Sequence, residues 1–305
     1  MKYLKFYKKK KLKEGEVFGY FLKNIRNSIK TWDYFVNWKK VDFGAEKFKI
    51  ELNLLNSLIG SKDLKKDFIL LILRYPEVIR TLPVLLAVRY PKLEIVQDYK
   101  RLNLNYETFN FENYGSIDKT SAEKYFKFVK KSGLIKLFEN KKIKNFVDYV
   151  IGAEVGLDSN GRKNRGGTLM ENIVEAFIKD FSEKNKEIQY IPQARAPKIK
   201  ESWGVDIKFD KSSRSYDFAV FNLKTRKLFL IETNFFNGGG SKLKSVCGEF
   251  KTLFRDLNKQ EIDLIWITDG KGWESTKKPL EESFNQIDYL FNLNMLEEGI
   301  LNEVF

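Results

Sequence analysis

The spacing of apolar residues predicts that the first half of the chain is mainly helical. From residue 16 to about residue 96, apolar side chains recur at helical intervals, as in Val17, Phe21 and Ile25. Two further helices are predicted over residues 119–132 and 143–155. We therefore expect residues 1–155 to form a mainly helical N-terminal region that embraces DNA or mediates dimerisation.

The aromatic residues Trp32, Tyr34, Phe35 and Trp38 form a cluster within this region. Their spacing is typical of a helical core patch, which is the interpretation we adopt. A role in stacking on nucleic-acid bases is the alternative.

After residue 155 the pattern changes to short strands alternating with helices. In chain order it predicts a helix over residues 169–181, strands over 187–191, 216–222 and 227–234, a helix over 243–257, a strand over 262–268 and a closing helix over 279–293. Alternation of this kind predicts an α/β fold in which a mixed sheet is flanked by helices. Residues 156–305 are therefore expected to form this core.

The strands 216–222 and 227–234 flank a short polar link and predict a β-hairpin. If Asn222 pairs with Lys227, the antiparallel register puts Asp217 opposite Glu232, with Cβ atoms about 5 Å apart. Asn234 turns to the same face because side chains alternate along a strand. Two adjacent carboxylates repel, so the pair predicts a site for a divalent cation. A charged outer face of the sheet is the alternative.

Composition narrows the chemistry available to such a site. The formal net charge is +14, which favours a polyanionic partner, with nucleic acid as the first candidate. The chain has no histidine, which excludes Ser-His-Asp hydrolysis, histidine-based zinc sites and nucleases with a histidine general base. A hydrolase built from Asp, Glu, Asn and Lys would use a hard cation, so we expect Mg²⁺ as the cofactor.

Other features of the sequence indicate the cellular compartment of the protein. A single cysteine excludes an internal disulfide framework and a cysteine-based zinc cluster, and it favours a reducing cytoplasm. The start of the chain, MKYLKFYKKKKLK, lacks the long apolar region and cleavage site of a secretory signal. The longest apolar runs, residues 68–73 and 82–88, are too short to cross a bilayer. We expect a cytoplasmic protein that does not insert into a membrane.

A polar, glycine-rich segment over residues 156–167, GLDSNGRKNRGG, is predicted to be a loop. Its basic residues Arg162, Lys163 and Arg165 predict contacts with DNA phosphates. A flexible connector between domains explains the same composition equally well.

Glu171 lies at the start of the helix predicted to follow this loop. Thr168 and Glu171 fit a capping box, which is a sufficient structural reason for the glutamate. The alternative is that Glu171 points toward the acid pair as an outer metal ligand.

Four more polar residues are candidates for contact with DNA. Gln193 and Arg195 occur in a long segment, residues 192–214, and have the fork geometry that reads adenine and guanine edges in the major groove. Lys198 adds positive charge to this segment. Lys244 lies in the first turn of the helix that follows Gly238, Gly239 and Gly240.

Several segments resemble a known group of enzymes. The stretches YDFAVFN, LFLIETNFFNGGGSKLKS, GEF and WITDGKGW are similar to those of DpnII/MboI-type type II restriction endonucleases. The order of elements, with acids on successive strands, resembles the core of the PD-(D/E)xK nuclease superfamily. The resemblance implies Mg²⁺-dependent cleavage of both DNA strands at unmethylated GATC, in a bacterial cell with a partner adenine-N6 methyltransferase. A palindromic target is matched most simply by a homodimer.

The resemblance also implies roles for individual residues. Asp217 corresponds to the first acid of the superfamily and Glu232 to the second, and the Thr233 carbonyl would join them in holding metal. Asn234 departs from the common motif, which has lysine there. Asn234 then only orients the water, or a lysine arrives from elsewhere, for which Lys242 is the candidate. A non-cleaving DNA-binding protein and a repair or RNA-processing nuclease are the alternatives.

Overall fold

The computed structural model describes residues 1–98, 100, 103–112, 115–139, 142–208 and 214–305. The chain divides into two compact units. The sheet unit comprises Met1–Thr31 and Lys163–Phe305, and the helical unit comprises Trp32–Arg162. This division differs from the sequence-based one at residue 155 because the first 31 residues belong to the sheet unit.

Seven strands occur over the described residues, numbered in chain order: β1 Lys92–Asp98, β2 Asn103–Asn110, β3 Ile188–Ala194, β4 Tyr216–Asn222, β5 Lys227–Phe235, β6 Asp263–Asp269 and β7 Tyr289–Phe291. Strands β1 and β2 pair in the helical unit, and the other five form one sheet in the sheet unit.

The α-helices of the same described residues are α1 Lys5–Lys9, α2 Val17–Lys23, α3 Trp38–Glu46, α4 Lys49–Asn56, α5 Leu64–Arg74, α6 Thr81–Leu85, α7 Lys119–Lys131, α8 Ile135–Glu139, α9 Phe146–Asp158, α10 Arg162–Lys184, α11 Ala196–Trp203, α12 Ser241–Asn258, α13 Lys277–Gln286 and α14 Leu293–Glu297. Within the described ranges, no helix combines the length and apolar character that crossing a bilayer requires.

The five-stranded sheet is mixed and has the order β3-β4-β5-β6-β7. Strands β3, β4 and β5 are antiparallel, whereas β5, β6 and β7 are parallel. The predicted hairpin is confirmed, since Asn222 pairs with Lys227. Consecutive residues from Phe218 to Phe221 are buried, which means that both faces of the sheet are covered in this part. The mixed α/β architecture agrees with the fold class predicted from the sequence.

The N-terminal segment completes the core of the sheet unit. Phe21 is fully buried in that core, and its carbonyl accepts a hydrogen bond from the Asn292 amide. The backbone N–H groups of Arg26 and Leu293 both donate to the carboxylate of Asp269 at the end of β6. Buried backbone groups need hydrogen-bond partners, and here they find them between the N-terminal segment and residues 269–293. These bonds help to hold residues 1–31 in the sheet unit.

The helical unit has a separate core in which aromatic rings of β2 and of the residue that follows it pack against α7. The ring centroid of Phe128 lies 5.0 Å from that of Phe109 and 5.1 Å from that of Phe111. The hairpin of β1 and β2 falls at the end of the stretch predicted to be helical. Its strands form because pairing and this aromatic packing outweigh local helical spacing.

The predicted core patch of aromatic residues is wrong in this unit. Trp32 is 97% exposed, Trp38 is 58% exposed and Phe35 is 48% exposed. Helix α3 instead buries Val41 and Ala45, which lie one and two turns after Trp38 on the same side of the helix. Helical spacing identifies an apolar stripe but does not say which part of that stripe meets the core.

Three further expectations about local structure are corrected. Residues 156–167 are helical, because α9 continues to Asp158 and α10 begins at Arg162 after a short 3-10 turn. Thr168 therefore lies inside α10 and cannot cap its start. The expected closing helix ends at Gln286, and Tyr289–Phe291 pairs with β6 as a parallel strand. The long segment 192–214 is partly regular, since it contains the end of β3 and all of α11.

Candidate active site

The hairpin register brings the two predicted acids together. The pairing of Phe218 with Ile231 places the next pair, Asp217 and Glu232, directly opposite each other. The Oδ2 atom of Asp217 accepts two hydrogen bonds from Thr233, from its backbone N–H at 2.7 Å and from its hydroxyl at 2.8 Å. The Asp217 carboxylate is therefore fixed in orientation by the adjacent strand.

Glu232 has the most strongly altered acidity of this group. Burial, followed by the negative charge of Asp217, raises the pKa of Glu232 to about 8. The positive charge of Arg214 acts in the opposite direction. A cation bound beside a carboxyl group in this environment would stabilise its ionised form.

Glu171 on α10 is a third acid at the same place. Burial and then the charge of Asp217 raise the pKa of the Glu171 carboxyl, and a hydrogen bond from Gln193 partly offsets this effect. Because α10 starts nine residues earlier, Glu171 has no capping role. The sequence identified all three acids, and the fold brings them close enough to influence one another's ionisation.

Gln193 occupies a strained position beside these acids. It lies in β3 between the pairs Pro192–Phe218 and Ala194–Tyr216, and is therefore opposite Asp217. Its φ is +48°, a left-handed conformation that costs about 1–3 kcal/mol in a non-glycine residue. Its amide Nε2 donates to Glu171 Oε2 at 2.9 Å. Gln193, which the sequence predicts as a possible base reader, thus contacts Glu171 of the acid cluster directly.

Asn234 is held by a neighbour that the sequence did not reveal. Trp266 Nε1 donates to Asn234 Oδ1 at 2.6 Å. Trp266 pairs with Glu232 across the parallel strands, and its indole stacks on Phe250 of α12 with centroids 4.3 Å apart. An indole N–H can only donate, so the oxygen end of the Asn234 amide is occupied and the NH₂ end is left for other partners.

The cation that acts on Glu232 is Arg214, a residue that the sequence pattern does not single out. It precedes β4, its side chain is 18% exposed, and its guanidinium lies 3.4 Å from Glu249 of α12. Lys242 is exposed in the first turn of the same helix. Lys242 and Glu249 are seven residues apart and so share a helical face. One feature of the sequence could have identified Arg214 as a site residue, because it lies two residues before the strand that carries Asp217.

The residues predicted to contact DNA are distributed over several elements. Arg195, Lys198 and Lys244 are exposed on the sheet unit. Arg162 donates to the backbone carbonyl of Phe35 at 3.1 Å. Arg165 lies in the first turns of α10, and the side chain of Lys163 falls outside the described residues.

Comparison with known proteins establishes the family. The profile of the DpnII restriction endonuclease family matches residues 17–303 of this chain. This chain belongs to that family. No solved structure matches the chain.

Three relatives illustrate the similarity. The type II restriction enzyme MjaIII of Methanocaldococcus jannaschii is 46% identical, over 94% of this chain and 98% of the relative. LlaDCHI of Lactococcus lactis subsp. cremoris is 40% identical over 93% of each chain. DpnII of Streptococcus pneumoniae is 35% identical, over 96% of this chain and all of the relative. The chain is therefore a type II restriction enzyme, a site-specific deoxyribonuclease that acts on double-stranded DNA.

The acids fit a hard divalent cation by their chemistry. Within the described ranges, no group of three or more acidic, histidine or cysteine side chains is already arranged to hold a metal ion. Two carboxylates, Asp217 and Glu232, with the Thr233 carbonyl, offer the oxygen ligands that such an ion prefers. Burial raises the pKa of both carboxyls, and for Glu232 the negative charge of Asp217 adds to the effect. Glu171 adds a third carboxylate whose ionisation is affected by the charge of Asp217.

Proposed function

We propose that this restriction enzyme hydrolyses both strands of duplex DNA at unmethylated GATC and requires Mg²⁺. Family membership supports the cleavage reaction. The observation that carries the metal requirement is the convergence of three carboxyl groups: burial raises the pKa of all three, and the charge of Asp217 acts on both Glu171 and Glu232. The resemblance of YDFAVFN and WITDGKGW to the DpnII/MboI type supports GATC as the target.

Asp217 and Glu232 would hold the ion in this reaction, together with the Thr233 carbonyl. When bound, Mg²⁺ lowers the pKa of a water molecule and shields the charge of the phosphate. Thr233 keeps Asp217 in one orientation through its two hydrogen bonds, so the ligand is positioned before substrate arrives. Burial of Glu232 keeps the site poor in bulk water, which strengthens electrostatic interactions within it.

Asn234 would act as a hydrogen-bond donor. Its oxygen is occupied by Trp266, so its NH₂ group is the end that meets a water molecule or a phosphate oxygen. It does not serve as a base, because a neutral amide has no proton affinity suited to that role. The positive charge that lysine supplies in the common motif is then assigned to Arg214 or Lys242.

Target symmetry suggests how the protein is organised on DNA. GATC reads the same on both strands, and two identical sites related by a twofold axis would cut both of them. We therefore propose a homodimer. An adenine-N6 methyltransferase of the same cell would protect host sites.

A cleavage assay on defined duplexes tests the proposal. One duplex carries a single GATC, and its control carries the same bases in scrambled order. We expect both strands of the GATC duplex to be cut in Mg²⁺ and neither to be cut in EDTA. Equal cutting of the scrambled duplex would refute the target, and undiminished cutting in EDTA would refute the metal requirement.

A further inference from the structure

A cavity of about 640 Å³ lies within the helical unit. It is lined by residues around α3, by the segment from Arg80 to Pro91 and by Glu154 of α9. Its volume is in the range of sites that bind small molecules. The cavity lies in a different unit from the acids of the active site, and cleavage chemistry does not account for it.

Two exposed aromatic rings line this cavity. Phe43 on α3 and Tyr90 are each 73% exposed, which is unusual for large side chains that border one concave surface. Rings with accessible faces are the platforms on which nucleobases stack, at about 1–3 kcal/mol per base. The aromatic lining therefore suits a flat, unsaturated ligand.

Basic side chains surround the same cavity. Four of them, Lys40, Lys47, Arg80 and Arg89, line it together with two acidic ones, Glu112 and Glu154. This excess of positive charge suits a ligand that carries a phosphate group.

Two of these cations lie against an aromatic ring. The Arg80 guanidinium lies 4.8 Å from the centroid of the Phe48 ring, and the Lys47 ammonium lies 5.3 Å from the same centroid. Cation–π contacts of this kind hold both positive groups beside the Phe48 ring, which also lines the cavity.

A buried carboxylate gives the cavity a specific polar contact. Glu154 is only 7% exposed and forms an ion pair with Arg89. Gly44 makes room for it, because a Cβ atom at that position would lie 3.0 Å from Glu154 Cδ. A fixed carboxylate of this kind can accept a hydrogen bond from the amino group of adenine, cytosine or guanine.

The backbone beside the cavity is also strained. Ala87 has φ +59°, a left-handed conformation that is unfavourable for a residue with a Cβ atom. Its amide donates to the carbonyl of Val84 at 2.9 Å, and that of Val88 donates to Pro83 at 2.9 Å. Strain of this type is often retained where a segment shapes a binding site.

We propose that this cavity binds an unstacked nucleotide, with its base against Phe43 and Tyr90 and its phosphate near Lys40 and Lys47. A base inside a duplex is stacked and cannot enter a cavity. The ligand is therefore a free mononucleotide or a nucleotide in an unpaired part of a DNA strand. The proposal needs neither GATC recognition nor Mg²⁺.

Binding of a labelled single-stranded adenine hexamer in EDTA, followed by fluorescence anisotropy, tests this site. A hexamer of the same length with abasic sugars measures the contribution of charge alone. We expect the base-containing hexamer to bind at least about tenfold more tightly than the abasic one. Phe43→Ala combined with Tyr90→Ala should abolish that difference, whereas Tyr90→Phe alone should retain it.

Matched controls separate the cavity from the general surface. Tyr106 is 63% exposed in the same unit and does not line the cavity, so Tyr106→Ala should leave the difference intact. Lys47→Ala should weaken binding of both hexamers more than Lys49→Ala does, because Lys49 is outside the cavity and pairs with Glu46. Thermal unfolding of each variant verifies that it is folded.

The outcomes decide both the site and its ligand. Competition by free dAMP identifies a mononucleotide as a ligand, and tight hexamer binding without such competition identifies a DNA strand. Equal binding of base-containing and abasic hexamers by the parent, or persistence of the difference in the Phe43/Tyr90 double variant, would overturn the proposal. Cleavage at GATC is measured separately, so failure of either proposal is recognised independently.

Discussion

The indole N–H of Trp266 holds the side-chain oxygen of Asn234 at 2.6 Å. This bond fixes the Asn234 amide and leaves its NH₂ group for other partners. Under the proposed function, Asn234 takes the position that lysine has in the common nuclease motif, and its NH₂ group is the end that meets the reacting water or phosphate. The contact joins two neighbouring parallel strands, and the two residues are 32 positions apart in sequence.

Trp266→Phe should therefore slow cleavage without preventing DNA binding. Without the indole donor the Asn234 amide can rotate, and we expect the single-turnover rate to fall by about tenfold or more. Affinity for duplex DNA in Ca²⁺ should stay within about twofold of the parent. Trp203→Phe is the matched control, since it removes a comparable indole bond, to Gln189 at 2.8 Å, four residues before Gln193 along β3. An equal loss of rate in both variants would mean that general destabilisation is responsible.

Asp217→Ala and Glu232→Ala should each abolish strand cleavage. The two residues face each other across the hairpin and would supply the metal ligands. Binding of duplex DNA in Ca²⁺ should remain within a few-fold of the parent, as measured by gel shift. Glu249→Gln provides the comparison, because it removes an exposed acid near Glu232 that we do not assign to metal. Near-normal cutting by either alanine variant would rule out the proposed metal site.

Under the proposed function, either Arg214 or Lys242 supplies the positive charge that lysine provides in the common motif. Arg214 is the cation whose charge acts on Glu232, so Arg214→Ala should reduce the single-turnover rate by about two orders of magnitude. Lys242 is exposed on the helix surface, and Lys242→Ala should mainly weaken DNA affinity. Rates at saturating enzyme distinguish the two effects. The opposite pattern would assign the catalytic charge to Lys242.

Glu232 should make the metal-free protein less stable as pH rises. Its pKa is about 8 in the folded protein and 4.5 in the reference state, so the unfolded chain loses this proton first. The stabilisation is complete below pH 4.5 and is lost as pH increases through 8, by about 3–4 kcal/mol from this group between pH 5 and 8.5.

Urea unfolding in EDTA at several pH values measures this effect. Glu232→Gln cannot ionise, so the variant should lose this part of the pH dependence while other groups contribute as before. Mg²⁺ should restore stability to the parent at high pH and have less effect on the variant. Parallel stability curves for the two proteins would contradict the assignment of the raised pKa to Glu232.

Methylation of adenine N6 should protect GATC from cleavage. The methyl group replaces a donor hydrogen and adds bulk in the major groove, and a lost base contact costs about 1–3 kcal/mol per base pair. Fully methylated duplexes should therefore be cut much more slowly than unmethylated ones, with unchanged binding to nonspecific DNA. Equal rates on both duplexes would exclude this form of protection.

Arg195→Ala and Gln193→Ala give different information about how the target is read. Arg195 is exposed, and its loss should weaken discrimination between GATC and related sites. Gln193 donates to Glu171, so its replacement should reduce the cleavage rate even on the correct site. Rates on cognate and single-mismatch duplexes separate the two roles.

The amino-acid sequence by itself determined the hairpin and its acids. The two apolar runs and the short polar link between them fix the register, and the two-residue repeat of a strand gives the face shared by Asp217, Glu232 and Asn234. This works because hairpin pairing is local and has a strict period of two residues. The absence of histidine likewise limits the chemistry without any knowledge of the fold.

Only the tertiary structure decided which other residues join that site. Trp266 and Gln193 reach the acids through strand pairing across the sheet, and Arg214 lies just before β4, beside Glu249 of α12. Contacts of this kind have no signature in local spacing. Long-range packing also converted residues 156–167 into helix and residues 289–291 into strand. In the helical unit it left Trp32 and Phe43 exposed, because periodicity reveals an apolar face but not the partner that covers it.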